Sequence, residues 1–169
     1  MADFSVGIVM GSDSDWPVME AAYKILKDFG LSVDVQVISA HRRPDRLVEW
    51  IRESEKNGVG VFIAAAGMAA ALPGVVAAHT TRPVIGVPLA SGALPGVDAL
   101  LSIVQMPPGV PVATVAIGGG GATNAAILAA QILALTDTAL AEAVKNHKRK
   151  QAESVDRKNQ LLQERLQGG

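Results

Sequence analysis

The sequence predicts an α/β fold of three layers, in which a doubly wound parallel sheet lies between two layers of helices. Short apolar runs rich in β-branched residues alternate five times with longer segments whose apolar residues recur at the spacing of a helix. The first run, residues 5–10, is closed by Gly11 and is typical of a buried strand. Repeated alternation of strand and helix favours parallel pairing with helices on both faces.

The boundaries of the elements follow from these runs and from the residues that end them. Gly30 ends the first helical pattern, and Pro44 stands where a first-turn proline would begin the second. The predicted strands are residues 5–10, 33–38, 59–66, 84–87 and 112–117. The predicted helices are residues 15–29, 44–57, 69–78, 97–104 and 122–135. Neither a repeat nor an internal domain boundary is visible, so residues 1–169 are expected to form one domain.

The tail from residue 136 differs from the α/β core of residues 1–135. It is polar and helix-prone, and its sizeable aliphatic residues keep to one narrow stripe. That stripe consists of Leu140, Val144, Val155, Leu162 and Leu166. Because so thin a stripe does not fold alone, we expect a long C-terminal helix that lies across another surface, such as a neighbouring subunit.

Composition excludes several classes of function. Fifteen Lys and Arg against sixteen Asp and Glu leave a net charge of -1, which offers no electrostatic reason to bind nucleic acid or an acidic membrane. Without Cys there is no disulfide framework, thiol nucleophile or thiolate metal site. Three scattered His residues among few other candidate ligands also argue against a catalytic metal.

The charges are unevenly distributed. Residues 58–135 contain only two of the 31 charged residues, Arg82 and Asp98. Such a stretch either crosses a membrane or is covered by protein. Residues 59–81 are long enough to span but are broken by glycines and a proline, and the Met-Ala-Asp-Phe start lacks the features of an export signal. We therefore expect a soluble, cytoplasmic homo-oligomer that buries its middle.

Three predicted strand ends carry candidate site residues, because ligands of open α/β sheets bind outside the carboxyl ends of the strands. After the first strand, Gly11-Ser-Asp-Ser-Asp15 suits either a phosphate or ordinary helix capping. After the second, Ser39-Ala-His-Arg-Arg-Pro44 favours function over an incidental solvated loop, since Arg clamps phosphate and His moves protons near neutral pH. After the third, residues 64–74 are tiny and serve close ligand approach or tight packing equally well.

Four other features are interpreted more plainly. Gly118–Gly121 is expected to be a flexible loop, since no phosphate-binding fingerprint surrounds it. His79 and His147 lack Asp or Glu neighbours at a spacing that would form a site, and Lys145–Lys150 is expected to be a solvated helix face.

The three strand ends together offer one His, several Ser, one Asp and Arg, with no carboxylate pair or catalytic triad. Such a site suits a phosphorylated, hydroxylated ligand and the transfer of a single proton.

Six segments of the chain resemble the N5-carboxyaminoimidazole ribonucleotide mutase (PurE) family. They are GSDSDW at 11–16, SAHRRP at 39–44, ALPG at 71–74, PVIGVP at 83–88, SIVQMPPGVPVATVAI at 102–117 and NAAILAAQIL at 124–133. These motifs occur in the family's order over roughly the first 135 positions. The resemblance implies a flavodoxin-like or Rossmann-like domain that assembles as an octamer. It also implies a cofactor-free enzyme of purine biosynthesis that moves a carboxylate from N5 to C4 of an imidazole ribotide.

The resemblance also implies roles for individual residues. His41 would be the proton shuttle, and residues 67–72 would line the pocket that holds CO2. Ser12, Ser39 and Arg42 would bind the phosphate, and Asp15 the ribose hydroxyls. The residues implied to bind the substrate are Ser12, Ser14, Asp15, Ser39, Ala40, Arg42, Gly67, Ala71 and Leu72.

One departure from the family bears on the reaction. The family commonly has His immediately before LPG, where this chain has Ala71. Three explanations stand: a subgroup that manages with His41 alone, which we favour, a related enzyme with another carboxyl donor, or a changed or lost activity. The alternatives to the mutase are therefore the direct carboxylase of aminoimidazole ribotide and a non-catalytic nucleotide- or flavin-binding module.

Overall fold

A five-stranded parallel sheet forms the centre of the computed structural model, which describes residues 5–167. Its strands are β1 (Val6–Met10), β2 (Val33–Val37), β3 (Val61–Gly67), β4 (Val84–Leu89) and β5 (Ala113–Thr114). Its helices are α1 (Trp16–Asp28), α2 (Pro44–Lys56), α3 (Leu72–Ala78), α4 (Val97–Val104), α5 (Gly119–Leu133) and α6 (Thr138–Gln167). Residues 1–4 and 168–169 lie outside the described residues. The first range holds the start on which the prediction about an export signal rests, and the second is the end of the predicted C-terminal arm.

The strands are ordered β2-β1-β3-β4-β5, and every pair is parallel. One register row crosses the sheet through Val35, Ile8, Ile63, Ile85 and Ala113. This is the flavodoxin-like order, whose connections change direction between β1 and β3 and leave a crevice at their carboxyl ends. The predicted fold class is confirmed, and the aligned register brings the loops after β1, β2 and β3 to one edge.

Alternating side chains of the strands build two apolar cores. On one face, residues such as Ile8 and Ile63 pack against α1, α5 and the start of α6, while on the other Val9 and Phe62 pack against α2, α3 and α4. The period-2 alternation of a strand explains why consecutive residues enter opposite cores. Trp50 of α2 also donates a hydrogen bond from Nε1 to Oδ2 of Asp34 in β2 at 2.6 Å, which ties together the two elements on either side of residues 38–43.

The predicted fifth strand is wrong in its length. The sequence predicts residues 112–117, whereas ladder pairing is confined to Ala113–Thr114. Pro88 in β4 has no N–H to donate, so the regular ladder cannot continue beyond this level. Isolated bonds replace it: the Val115 N–H donates to the Gly86 carbonyl at 3.1 Å and the Gly118 N–H to the Pro88 carbonyl at 2.9 Å.

Two helix starts also differ from the prediction. α3 begins at Leu72 rather than at residue 69, because Pro73 is compatible only with the first turn of a helix and the preceding residues form a turn. The expected flexible glycine loop is wrong, since Gly119–Gly121 forms the first turn of α5. A Cβ on Gly121 would overlap the carbonyl oxygen of Ala116, so close backbone packing explains a glycine there.

The long C-terminal helix is present as α6. Leu140 is buried against the core and Val144 is partly buried, whereas Val155, Leu162 and Leu166 are exposed. Only the first turns of α6 therefore pack on their own chain. Among residues 5–167, no helix is both long and apolar enough to span a membrane.

Candidate active site

A cavity of 430 Å³ lies at the carboxyl edge of the sheet, where the strand order changes direction between β1 and β3. All ten residues that the sequence singled out line this one cavity. They are Ser12, Ser14, Asp15, Ser39, Ala40, His41, Arg42, Gly67, Ala71 and Leu72. Parallel strands in register explain the convergence, because their carboxyl ends meet at one edge. The roles of these residues remain predictions.

The loop between β1 and α1 is a closed turn built by its own side chains. The Ser12 N–H donates to Oδ2 of Asp15 at 3.0 Å, and the Ser14 N–H donates to Oγ of Ser12 at 3.3 Å, which together form a capping box around the short 3-10 turn of Asp13–Asp15. The Ser14 hydroxyl adds a bond to Oγ of Ser12 at 2.8 Å. Capping thus occupies several main-chain donors of this turn and leaves its hydroxyl groups facing the cavity.

Asp15 is partly buried at the cavity wall. Burial raises the pKa of its carboxyl above the ordinary value, and the negative charge of Asp13 adds to the rise. The hydrogen bonds from the Ser12 and Gly11 main chain oppose this by favouring the ionised form. Asp15 is therefore a somewhat weakened acid whose ionised form accepts hydrogen bonds, which suits recognition of hydroxyl groups.

The loop between β2 and α2 supplies the cationic side chains and the imidazole of the cavity. The Arg43 N–H donates to the Ser39 carbonyl at 2.8 Å, and the Arg42 N–H and Nε donate to Oγ of Ser39 at 3.3 and 3.4 Å. Arg42 forms no ion pair within residues 5–167, so the charge of its guanidinium is available to an anion. His41 is exposed at the cavity mouth between these residues.

The loop between β3 and α3 forms a small, uncharged wall. Met68 and Ala70 adopt positive φ angles of 54° and 33°, and the Ala70 N–H donates to the Gly67 carbonyl at 3.0 Å. Positive φ is costly for residues with a side chain, and such conformations concentrate at ligand sites. Ala71 follows with ordinary helical angles and is half-buried. This wall offers apolar contact and main-chain groups but no charge.

Sequence reasoning missed Ser91, which lines the cavity from the loop after β4. Its hydroxyl lies over the α-carbon of Gly67, where any Cβ would overlap it. The signal that would have found Ser91 is the rule already applied to the first three strands, because Ser91 follows the carboxyl end of the fourth. Met68 and Ala70, which belong to the predicted wall of residues 67–72, also line the cavity, as do Gly11 and Ala66, which were given no individual role.

The two remaining histidines lie outside the cavity. His79 ends α3 and is exposed, and the ring of His147 in α6 lies 5.3 Å from the ring of Phe29. Within residues 5–167, no three His, Asp or Glu side chains lie together as metal ligands would. The cavity thus combines a cationic side, a carboxylate, one imidazole and a small apolar side. Such an arrangement suits binding of a phosphorylated sugar and proton transfer at its attached group.

Comparisons with known proteins find matches that cover most of the chain. A family model described as AIR carboxylase matches residues 5–154. The N5-carboxyaminoimidazole ribonucleotide mutase of Pyrococcus abyssi is 57% identical over 143 residues, which cover 85% of this chain and 81% of the relative. The mutase of Thermotoga maritima is 52% identical over 159 residues, or 94% and 92% of the two chains.

Solved structures give the same result at lower identity. The crystal structure of Treponema denticola PurE has a TM-score of 0.82 and 32% identity, covering 90% of this chain and 94% of that chain. The crystal structure of a single-residue variant of Treponema denticola PurE2 has a TM-score of 0.83 and 31% identity, covering 91% of this chain and 94% of that chain. The two curated relatives are therefore closer in sequence to this chain than the two solved structures are, and the solved structures share its fold.

Proposed function

The chain belongs to the AIR carboxylase family, and from that premise we propose that it is an N5-carboxyaminoimidazole ribonucleotide mutase, an isomerase of purine biosynthesis. The observation that carries the proposal is identity of 57% and 52% to two curated mutases over more than four fifths of each chain. The site supports it independently, because one cavity joins hydroxyl groups, an imidazole and an arginine that forms no ion pair within residues 5–167.

The ribotide phosphate binds at the β1 and β2 side of the cavity. Arg42 presents its guanidinium there, and Ser12 and Ser39 present hydroxyl groups within the same cavity. Charge-assisted bonds from a guanidinium are among the strongest that a phosphate receives. Asp15 accepts hydrogen bonds from the ribose hydroxyls, and Ser14 and Ala40 complete the wall around the sugar.

The carboxyl transfer takes place against the small wall of Gly67, Ala71 and Leu72. The carbamate N–C bond breaks as the nitrogen takes a proton, which releases CO2 and the aminoimidazole. Ring carbon C4 then attacks CO2 and forms the new C–C bond, and the proton leaves C4. His41 delivers the first proton and accepts the second, so charge and protons balance without a cofactor. A wall of apolar residues retains CO2 and keeps water from hydrating it.

The second candidate is the direct carboxylation of aminoimidazole ribotide by free CO2, because Ala71 departs from the pattern that the mutase family commonly has. Where the family commonly has His before LPG, this chain offers a methyl group, and His41 is the one imidazole on the cavity within residues 5–167. The mutase needs a single group that gives and takes one proton, which His41 supplies alone. The carboxylase would begin at the aminoimidazole and would need no carbamate binding.

Purified protein supplied with freshly prepared carbamate, or with aminoimidazole ribotide and bicarbonate but no ATP, tests the choice. We expect rapid formation of the 4-carboxy product from the carbamate and slow formation from bicarbonate. Preference for bicarbonate would assign the carboxylase instead.

His41→Asn is expected to lower kcat roughly 100-fold or more, as loss of a general acid-base group does. His79→Asn is the matched control, since His79 is exposed and outside the cavity. A fully active His41→Asn enzyme would refute the proton role.

The proposed enzyme is a homo-octamer of the cytoplasm. Exposed apolar side chains on α4, namely Val97, Leu101 and Val104, and on the outer part of α6 support assembly, since such faces are otherwise left in water. A phosphorylated ribotide does not cross membranes unaided, which supports a cytoplasmic site of action. Light scattering at micromolar protein, with Leu101→Glu against Arg52→Gln at an exposed position of α2 as control, tests the assembly. Eight subunits are expected, and a monomeric wild type would refute it.

A further inference from the structure

The side of the cavity built by β3 and β4 has one side-chain hydrogen-bonding group among its described residues, the hydroxyl of Ser91. The other lining residues on this side are Ala66, Gly67, Met68, Ala70, Ala71 and Leu72, none of which has a polar side chain. The remaining serines of the cavity lie on the loops after β1 and β2. Ser91 therefore stands apart from the cluster that faces the phosphate and the sugar.

The hydroxyl of Ser91 is free for a ligand. Ser12 and Ser14 are bonded to one another at 2.8 Å, and Ser39 accepts from Arg42 at 3.3 Å. In the part of the chain that the structure describes, Ser91 has no such partner, and it is half-buried over the α-carbon of Gly67. A half-buried hydroxyl that faces a cavity gains most from a ligand able to accept its proton.

From this placement we propose that Ser91 contacts the substrate and donates a hydrogen bond to the migrating carboxyl group. The inference rests on the proposed function, which places the phosphate near Arg42 and hence the imidazole head toward β3 and β4. A carboxylate at an apolar wall loses its hydration and needs a donor in exchange. The neutral CO2 molecule needs no hydrogen-bond donor. A single uncharged hydroxyl therefore holds the carboxylate before and after transfer, whereas a fixed cation would bind it too tightly for the group to move.

Gly67 belongs to the same arrangement. A Cβ at this position would overlap the Ser91 hydroxyl and come within 3.2 Å of the Leu89 carbonyl oxygen. The serine hydroxyl is the movable partner, because it is the end of a side chain that rotates about one bond. Gly67→Ala is therefore expected to turn the hydroxyl away from its place and to imitate its removal.

Ser91→Ala tests the inference in an assay that separates retention of CO2 from binding. Freshly prepared carbamate is supplied, and the 4-carboxy product and the released aminoimidazole ribotide are both measured. We expect kcat to fall roughly 10-fold to 100-fold, the size of a lost bond to a charged group. More aminoimidazole is expected per turnover, while KM changes less because the phosphate contacts remain. Ser91→Thr keeps a hydroxyl and is expected to restore most of the product ratio.

The control is Ser102→Ala, whose hydroxyl bonds to the Asp98 carbonyl within α4 at 2.8 Å and does not line the cavity. An active Ser91→Ala enzyme with unchanged kcat and product ratio would overturn the inference alone. A wild type that does not convert the carbamate would overturn the proposed function and the inference with it. If Ser91→Ala has a lower melting temperature than the wild type, Gly67→Ala is assayed in its place. A wild-type ratio of 4-carboxy product to aminoimidazole in that variant also overturns the inference.

Discussion

The main-chain N–H of Ser12 donates to Oδ2 of Asp15 at 3.0 Å and so closes the turn between β1 and α1. The bond places a carboxylate at the cavity wall and holds the turn that presents Ser12 and Ser14. Asp15 thus both closes the turn and lines the cavity. Its pKa reflects both demands, because burial raises it and the main-chain bonds lower it.

The first prediction concerns the pH dependence of stability through Asp15. Its folded-state pKa is raised, so the folded chain holds this proton to a higher pH than the unfolded chain does. The contribution of Asp15 to the free energy of unfolding is therefore full below the unfolded Asp pKa, about 3.9. It is lost as pH rises through the raised folded value. Asp15→Asn removes the titrating carboxyl. In urea unfolding, the free energy of unfolding of this variant is therefore expected to vary less with pH over that range.

Asp45→Asn is the control for this prediction, because Asp45 is an exposed carboxylate of α2 that does not line the cavity. The difference in unfolding free energy between wild type and Asp15→Asn is expected to change as pH rises from the ordinary Asp pKa through the raised folded value. The same measurement on Asp45→Asn gives the matched reference. A wild type that gains stability over Asp15→Asn as pH rises through this range would contradict the raised pKa.

The second prediction separates two neighbouring arginines. Arg42 lines the cavity and contacts Ser39, whereas Arg43 lies in the adjoining groove and not on the cavity itself. Arg42→Ala is expected to raise KM for the ribotide roughly 10-fold to 100-fold, as loss of a charge-assisted phosphate contact does. Arg43→Ala removes an equal charge from the same loop and is expected to change KM only a few-fold. Equal effects of both variants in steady-state assays would mean that general charge, not contact, binds the phosphate.

The fold and most of the cavity were predictable from the sequence because simple periodicity governs them. The apolar run of residues 6–10 has a burial pattern that only a central strand satisfies. Once parallel strands are assigned, the ends that carry Asp15, His41 and Gly67 must share an edge. No contact needs to be known for that step.

The remaining features depend on contacts that the sequence pattern does not display. Ser91 lies in a loop without a motif, and its importance comes from its place over Gly67. The length of β5 depends on the missing N–H of Pro88 in the neighbouring strand. The glycines before α5 look like a flexible loop, and only the position of the Ala116 carbonyl explains the helical turn that they form.

The third prediction concerns Ala71. Its backbone angles, φ -69° and ψ -22°, are ordinary for any residue, and its side chain faces the cavity. Ala71→His is therefore expected to fold, to keep its oligomeric state and to change kcat by less than about 10-fold, since in the proposed mechanism His41 supplies the proton path. Ala78→His places the same residue at an exposed position of α3 and serves as control. Loss of folding or assembly in Ala71→His alone would show that the cavity has no room for an imidazole.

The fourth prediction uses two adjacent glycines in the first turn of α5. A Cβ on Gly120 would meet open space, whereas one on Gly121 would overlap the carbonyl oxygen of Ala116, a backbone atom that cannot rotate away. Gly120→Ala is expected to raise the free energy of unfolding by up to about 1 kcal/mol, because alanine prefers the helical conformation over glycine by that amount. Gly121→Ala is expected to destabilise by about 1–3 kcal/mol through overpacking.

Urea unfolding of the two variants measures this difference, and the slope of the transition checks that each unfolds as the wild type does. Opposite signs are expected because the two positions share a helix and differ in what lies above the α-carbon. If both substitutions raise the free energy of unfolding, the Ala116 carbonyl does not restrict position 121, and close packing is not the reason for these glycines. If Gly121→Ala alone destabilises, close packing of α5 on the segment after β5 is the reason for glycine at this position.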